Sequence, residues 1–497
     1  MEYVADCLGA GFEQAKIALE PDRVSSRSAT LVRYTPGADP RAKIPDRVVP
    51  TNMRPGGGEI ENAYTVLPPQ ASPQQPDEMA YLYRFFGAKQ AYTPPRSLAQ
   101  PLSASEQADA SCLREYLDDE LGGASLHTAA QLADPPQPCF ILLYIHGWND
   151  YFYQPHLARM LSHLGAAFYA LDLHRYGRNL PDRWPGRLTY NGYTDDFENY
   201  DTEIDIAVKT VRQEHPHLPL IMMGHSNGGG VVAGWAARHH DDFEGIIYNS
   251  PWIVQDVSSI PGGVHTENLL ADHGRGIRLP MPQTDLTTYA DSLAGYQAIG
   301  SPLPRRLVPF VNDPSVKGWT SNPKWRLLSG APVLIGWISA VLRNQHWLRD
   351  SGSFPQKPVL CLTGNYELDP SYAREVKQID RLLAQKWRRE GKTQLRRRLK
   401  ALGLKARAAA VSRRHPAELG SPYRSALIGW TEASRHLDTV LNGKLIAQRV
   451  RDLYGSNLTM RTMSGYHDLT LSQPLERAAA FSEISAWLQT SGILKYN

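Results

Sequence analysis

Ser226 stands in Gly224-His225-Ser226-Asn227-Gly228-Gly229-Gly230, directly after the apolar run Leu218-Pro219-Leu220-Ile221-Met222-Met223 and before the small-residue stretch Val231 to Ala237. An apolar strand that turns at once into a helix makes a bend so tight that the residues two before and two after the serine must be small. Held there, a serine hydroxyl is exposed at the carboxyl edge of a sheet and at the amino end of a helix. Glycine and serine are common in any turn, so the pattern alone is weak; the strand and helix on either side favour a nucleophile. Acyl transfer by a serine also needs a base for its proton, a partner that orients the base, and donors for the developing oxyanion. His467, in Ser464-Gly465-Tyr466-His467-Asp468, follows the last apolar strand directly. That position separates it from an ordinary surface histidine and makes it the candidate base.

Two places offer the acid. Glu367 and Asp369 come just after the apolar run Val359 to Thr363, whereas Asp438 lies in Leu437-Asp438-Thr439-Val440-Leu441-Asn442. From Asp438 to His467 the separation is 467 − 438 = 29, room for one helix and one strand; from Glu367 it is 467 − 367 = 100. Asp438 is the preferred acid, on the reading that a segment was inserted between the strand and its acid loop, and Glu367 is the main competitor. Asn227, just after the nucleophile, offers one backbone N–H to an oxyanion, and Trp148, just after His146-Gly147, offers the second. His146, Gly147 and Trp252 are expected at the substrate pocket, with His146 and His225 as loop-shaping groups rather than proton carriers. No His/Cys/Asp/Glu group has metal-ligand spacing, and no glycine-rich phosphate cradle follows the first parallel strand, so no cofactor and no metal are implied.

These residues need a platform. Gln14–Glu20 and Ala29–Tyr34 read as an antiparallel hairpin. Cys139–Ile145 is a continuous apolar run of the kind buried on both faces of a parallel sheet, followed by a helix with Leu157, Met160, Leu161 and Leu164 on one face. The strand Ala166–Asp172, a helix with Ile204, Val208 and Val211, the strand before Ser226, and Gly245–Asn249 continue the alternation. Strand, helix, strand in this order specifies an α/β fold with a mostly parallel, doubly wound sheet. The chain divides into N-terminal strands (1–34), a Pro-rich insertion, partly disordered (35–137), a core with the serine turn (138–253), a helical cap or lid (254–357), a core strand (358–370), a basic helical insertion (371–430) and a C-terminal core with the acid loop and His467 (431–497). The tryptophans of 254–357 suit an apolar substrate wall.

Lys and Arg number 53 against 50 Asp and Glu, a net charge of +3. A balance this close gives no reason to expect a nucleic acid partner. The basic segment 374–414 is a candidate for peripheral contact with an anionic membrane, weighed against a merely solvated helical excursion. Four scattered cysteines without a C-x-x-C pair, an amino terminus without a leader pattern and the absence of a membrane-length apolar run point to a cytoplasmic protein. Oligomeric state is left open.

His146-Gly147-Trp148-Asn149-Asp150, the Asp172–Gly177 turn, Gly224-His225-Ser226-Asn227-Gly228-Gly229 and Gly465-Tyr466-His467-Asp468 resemble the monoacylglycerol lipase/lysophospholipase branch of the α/β hydrolases, the serine aminopeptidase S33-like group. Tyr151-Phe152, Asn249-Ser250-Pro251-Trp252 and Asp438-Thr439-Val440-Leu441 with His467-Asp468-Leu469 are similar to bacterial members of the same superfamily. The resemblance implies an α/β-hydrolase fold, the chain order serine, acid, histidine, and Asp438 as the acid. It further implies hydrolysis of a small lipophilic carboxylic ester without a cofactor, with amide hydrolysis as the alternative; a non-catalytic scaffold retaining the fold is the rival of another class. It extends over about 12–34 and 138–494, leaving out both insertions. At Asn227 the lipase pattern usually has methionine.

Overall fold

The computed structural model describes residues 1–39, 135–181, 189–257, 263–280, 313–322, 331–351, 354–365 and 433–494, with short stretches and single positions between them. The basic segment 371–430 and most of 35–137 lie outside the described residues, as do Glu367 and Asp369.

Nine strands form one sheet: β1 (Val4–Ala5), β2 (Phe12–Leu19), β3 (Arg27–Tyr34), β4 (Phe140–Ile145), β5 (Ala166–Asp172), β6 (Leu220–His225), β7 (Gly245–Asn249), β8 (Val359–Gly364) and β9 (Leu458–Met463). Their spatial order is β1-β2-β3-β5-β4-β6-β7-β8-β9. The pairs β1–β2, β2–β3 and β3–β5 are antiparallel, and every pair from β5 to β9 is parallel. The hairpin is longer than its apolar residues indicate. It pairs from Phe12 opposite Tyr34 to Leu19 opposite Arg27, because backbone hydrogen bonding continues past the point where side-chain alternation fades.

Seven helices matter for the site: α1 (Pro155–His163), α2 (Asp201–Glu214), α3 (Asn227–Ala236), α4 (Gly263–His273), α5 (Ile335–Asp350), α6 (Gly443–Tyr454) and α7 (Pro474–Thr490). β4 shows why the sheet must be covered on both sides. Phe140, Leu142 and Tyr144 pack into one buried cluster with residues of α1 and α7. Ile141, Leu143 and Ile145 pack into another with residues of α2, α3, α5 and α6. Alternate side chains of a strand point to opposite faces, so an uninterrupted apolar strand has no side to give to water.

After β7 the alternation stops, and the chain returns to the sheet only at β8. Within this interval α5 packs on α3 and α4. It brings Trp337, 1% exposed, to within 3.6 Å of Trp148 between ring centroids. The same interval is tied to the C-terminal region: Trp319 Nε1 donates to the Leu471 carbonyl at 2.8 Å, and Arg477 of α7 meets Asp313 at 2.6 Å, both side chains buried. No described helix is long and apolar enough to cross a membrane.

Candidate active site

Ser226 joins β6 to α3 with φ 51° and ψ −120°, a conformation that L-residues avoid and that persists only where the surroundings impose it. Here they do. The Ser226 carbonyl accepts from the N–H groups of Gly229 at 2.9 Å and Trp252 at 2.7 Å, while its own N–H donates to Asn249 at 3.1 Å. A Cβ on Gly224 would lie 2.8 Å from the Gly228 carbonyl oxygen, and one on Gly228 would lie 2.3 Å from that of His146. The requirement for small residues around the serine is therefore a matter of backbone contact.

His467 lies in the loop that follows β9. Its Nε2 is 2.8 Å from Ser226 Oγ and its Nδ1 is 2.9 Å from Asp438 Oδ2. Asp438, wholly buried, keeps its other oxygen on the N–H groups of Val440 and Leu441, both at 2.8 Å. Burial alone pushes this carboxyl up, but the imidazole and the two N–H donors outweigh it and hold it below the usual carboxylate range. The backbone N–H of Asp438 donates to the Asn365 carbonyl at 2.9 Å, just beyond the end of β8. Ser226, His467 and Asp438 are thus brought together, whereas Glu367 lies outside the described residues.

Beside this line lie His225, expected from the sequence to be a loop-shaping group, and Asp468, to which no role was given. The His225 ring is 4.9 Å from that of His467 between centroids. Its Nδ1 is 3.0 Å from the Asn249 carbonyl oxygen, and its Nε2 is 3.9 Å from Asp468 Oδ2. Asp468 is wholly buried and accepts from Asn249 Nδ2 at 2.7 Å, the Thr470 hydroxyl at 2.7 Å and the Thr470 N–H at 2.9 Å. Burial pushes this carboxyl up as well, but His225, Thr470 and Asn249 together hold it down. Burial likewise pushes the His225 imidazole down. Asp150, in the loop after β4, is pushed up to about 6 by its burial, against the opposing pull of Arg326, 3.3 Å away. Both are sequence neighbours of candidate site residues: His225 precedes Ser226, and Asp468 follows His467.

His146, expected at the substrate pocket as a loop-shaping group rather than a proton carrier, is enclosed. It is 0% exposed, accepts from the Leu173 N–H at 3.1 Å and donates from Nδ1 to the Gly147 carbonyl at 2.8 Å, so its ring shapes the loop. Gly147 approaches the serine turn closely: a Cβ there would lie 3.2 Å from Ser226 Cβ. Trp148 and Trp252 are both partly exposed and both pack against Trp337. Asn227 opens α3, and the first N–H groups of a helix have no partner within it. The Asn227 side-chain amide and the Trp148 indole nitrogen are buried with no hydrogen-bond partner among the described residues. No group of three or more His, Cys, Asp or Glu that could hold a metal ion occurs among the described residues.

The family described as serine aminopeptidase, S33 matches residues 136–298. Monoacylglycerol lipase of Mycolicibacterium smegmatis is 26% identical over 149 residues, covering 27% of this chain and 50% of that protein. Rat monoglyceride lipase is 29% identical over 103 residues, covering 21% of this chain and 31% of its own. The chain therefore spans half the length of the first of these relatives and less than a third of the second. Among solved structures, the monoacylglycerol lipase of Paleococcus ferrophilus is similar with a TM-score of 0.41 and 14% identity, over 72% of this chain and 96% of that one. With a mostly parallel sheet in this strand order, a serine at the β6–α3 turn and a histidine after the last strand, the chain is an α/β hydrolase in fold, and its core resembles the monoacylglycerol lipase-like branch.

Proposed function

We propose that this protein is a cofactor-free serine hydrolase of carboxylic esters, acting on monoacylglycerol-like, lysophospholipid-like or other small lipophilic esters. The observation that carries this is the continuous line from Ser226 Oγ through His467 to Asp438, at 2.8 Å and 2.9 Å. In the proposed reaction His467 Nε2 takes the serine proton as Oγ attacks the ester carbonyl. The N–H groups of Asn227 and Trp148 receive the oxyanion, and Asp438 stabilises the imidazolium and fixes its tautomer. Collapse of the tetrahedral intermediate expels the alcohol, which takes the proton from His467, and water then releases the acyl group by the same steps. Residues 254–357 act as a cap, with Trp337 completing an aromatic wall alongside Trp148 and Trp252. The relatives' names support the ester class, while the S33 description keeps amide hydrolysis as the second reading.

A substrate panel separates these readings. It takes p-nitrophenyl butyrate, 1-monooleoylglycerol and an aminoacyl p-nitroanilide, run on the native chain and on Ser226→Ala, with a fluorophosphonate probe alongside. Ester turnover and labelling by the native protein, both reduced at least about 10³-fold in the variant, are the expected results. Faster turnover of the anilide than of the esters would replace ester by amide hydrolysis. A native protein that neither turns over nor labels would make the chain a scaffold.

A further inference from the structure

We propose that the side chain of Asn227, together with the Trp148 indole N–H, recognises a hydroxyl group on the acid part of the substrate, so that the preferred ester is that of a 2- or 3-hydroxy acid with an apolar tail. This rests on the proposed ester hydrolysis and names the class of acid it releases.

Asn227 is 1% exposed, and neither its amide nitrogen nor its amide oxygen has a hydrogen-bond partner among the described residues. Trp148 Nε1 is buried and lacks a partner in the same sense. These are the two residues whose backbone N–H groups face the oxyanion in the proposed reaction. An amide buried without a partner costs free energy that an apolar side chain of similar size does not incur. Methionine, usual at this place in the lipase pattern, is such a side chain. The asparagine is completed only when a ligand supplies the missing bonds.

Position directs the amide at the reacting centre. Asn227 is the first residue of α3, with Ser226 directly before it as N-cap. Side chains of a helix lean toward its amino end, and here that end is the serine itself. The loop after β4 closes on the same turn: a Cβ on Gly228 would lie 2.3 Å from the His146 carbonyl oxygen, and one on Gly147 would lie 3.2 Å from Ser226 Cβ. Asn227 and Trp148 are the covalent neighbours of these contacts.

The amide is short, and the N–H of its own residue is directed at the oxyanion. Its partner is therefore attached within an atom or two of the ester carbonyl. The unmet capacity is both donor and acceptor, which one hydroxyl meets at once: it donates to Oδ1 and accepts from Nδ2 or from Trp148 Nε1. The leaving alcohol must face His467 Nε2, which returns the proton to it, so the hydroxyl belongs to the acid. Trp148 and Trp252, both packed on Trp337, suit the apolar tail beyond it.

The test compares esters of one chain length. Methyl octanoate, methyl 2-hydroxyoctanoate and methyl 3-hydroxyoctanoate, the last two as separate enantiomers, are followed by pH-stat with the native chain, Asn227→Met and Trp148→Phe. As a control, 1-octanoylglycerol carries its hydroxyls on the alcohol instead. The readout is the ratio of kcat/KM, hydroxylated over plain, within each protein, so damage to the oxyanion hole that slows every ester divides out. For one hydroxy ester the native ratio should be at least about tenfold. It should fall to about one or below in Asn227→Met and by about threefold in Trp148→Phe. A native ratio near one would overturn the proposal without any variant, as would a native preference that Asn227→Met leaves unchanged. A preference for 1-octanoylglycerol that Asn227→Met abolishes would place the contact on the alcohol and overturn the assignment to the acid. If Asn227→Met does not fold, the native ratio and Trp148→Phe decide. Equal turnover of plain and hydroxylated esters removes this inference alone and leaves the proposed function standing, whereas turnover of none removes both.

Discussion

Two groups of buried polar side chains in this molecule are built on opposite plans. Around Arg178, the guanidinium meets both oxygens of Asp6 at 2.7 Å and 2.8 Å, Asp172 at 2.8 Å and the Phe152 carbonyl at 2.9 Å. Around Ser226, the Asn227 amide and the Trp148 indole nitrogen have no partner among the described residues, and the serine hydroxyl has the His467 imidazole beside it. The first group is saturated, with donors matched to acceptors, and it fastens the amino terminus to the end of β5 and to the loop after β4. The second keeps polar capacity in reserve. A buried ion pair that only holds parts together must be fully satisfied to offset its desolvation. A site that does chemistry must leave something for the substrate to satisfy.

Each of three substitutions would sharpen or break this contrast. The largest effect on rate is expected from Asp438→Asn, which keeps the shape but allows the wrong imidazole tautomer: kcat for an ester substrate should fall about 10³–10⁴-fold, with a melting temperature close to native. A fall of less than tenfold, measured by stopped assay on p-nitrophenyl butyrate, would mean that another carboxylate does this work. Next is Arg178→Met, which strands two buried carboxylates. It should cost about 3–5 kcal/mol in urea unfolding while slowing the folded enzyme far less than Asp438→Asn does. Equal losses of rate in the two variants would erase the distinction between the groups.

The smallest effect is expected from Asp150→Asn. The Asp150 carboxyl is raised to about 6, so it favours the folded state below its unfolded value, about 4, and this contribution is lost as pH rises through about 6. Asp6 runs the other way. Its carboxyl is pushed up by burial but held below the usual range by Arg178 and the Leu8 N–H, so its contribution is present above about 4 and disappears on further acidification. Melting temperatures across pH 4 to 7 should therefore vary less in Asp150→Asn than in the native protein. A variant curve parallel to the native one would show that Asp150 does not titrate in this window.

Much of the platform was legible because parallel strands covered on both faces announce themselves: Phe140–Ile145 and Leu220–Met223 are apolar at every position, and no other element type of that length needs to be. Ser226 was legible for a different reason, since its backbone geometry requires glycine at fixed offsets. Asp438 could be placed by counting a helix and a strand back from His467. The Asp6–Arg178 contact could not be found in this way. It joins residues 172 positions apart that carry no motif, and only the antiparallel docking of β2 and β3 brings them together. The surroundings of His225 and Asp468 could not be found either: His225 was read as a loop-shaping group, and Asp468 only as part of the motif around His467. Trp337 was noted as one tryptophan among several, because its stacking on Trp148 depends on how α5 crosses the sheet.

The return of the chain at Asp438 has a consequence for how this protein can vary. The polypeptide leaves the sheet at Asn365, and Asp438 comes back to donate to the carbonyl of that very residue; a Cβ on Gly364 would lie 2.6 Å from Asp438 Cβ. Entry and exit of the intervening stretch are thus stitched together at one knot. The entropy of closing a loop grows only with the logarithm of its length, so lengthening or shortening this one leaves the knot, and the carboxylate fastened to it, where they are.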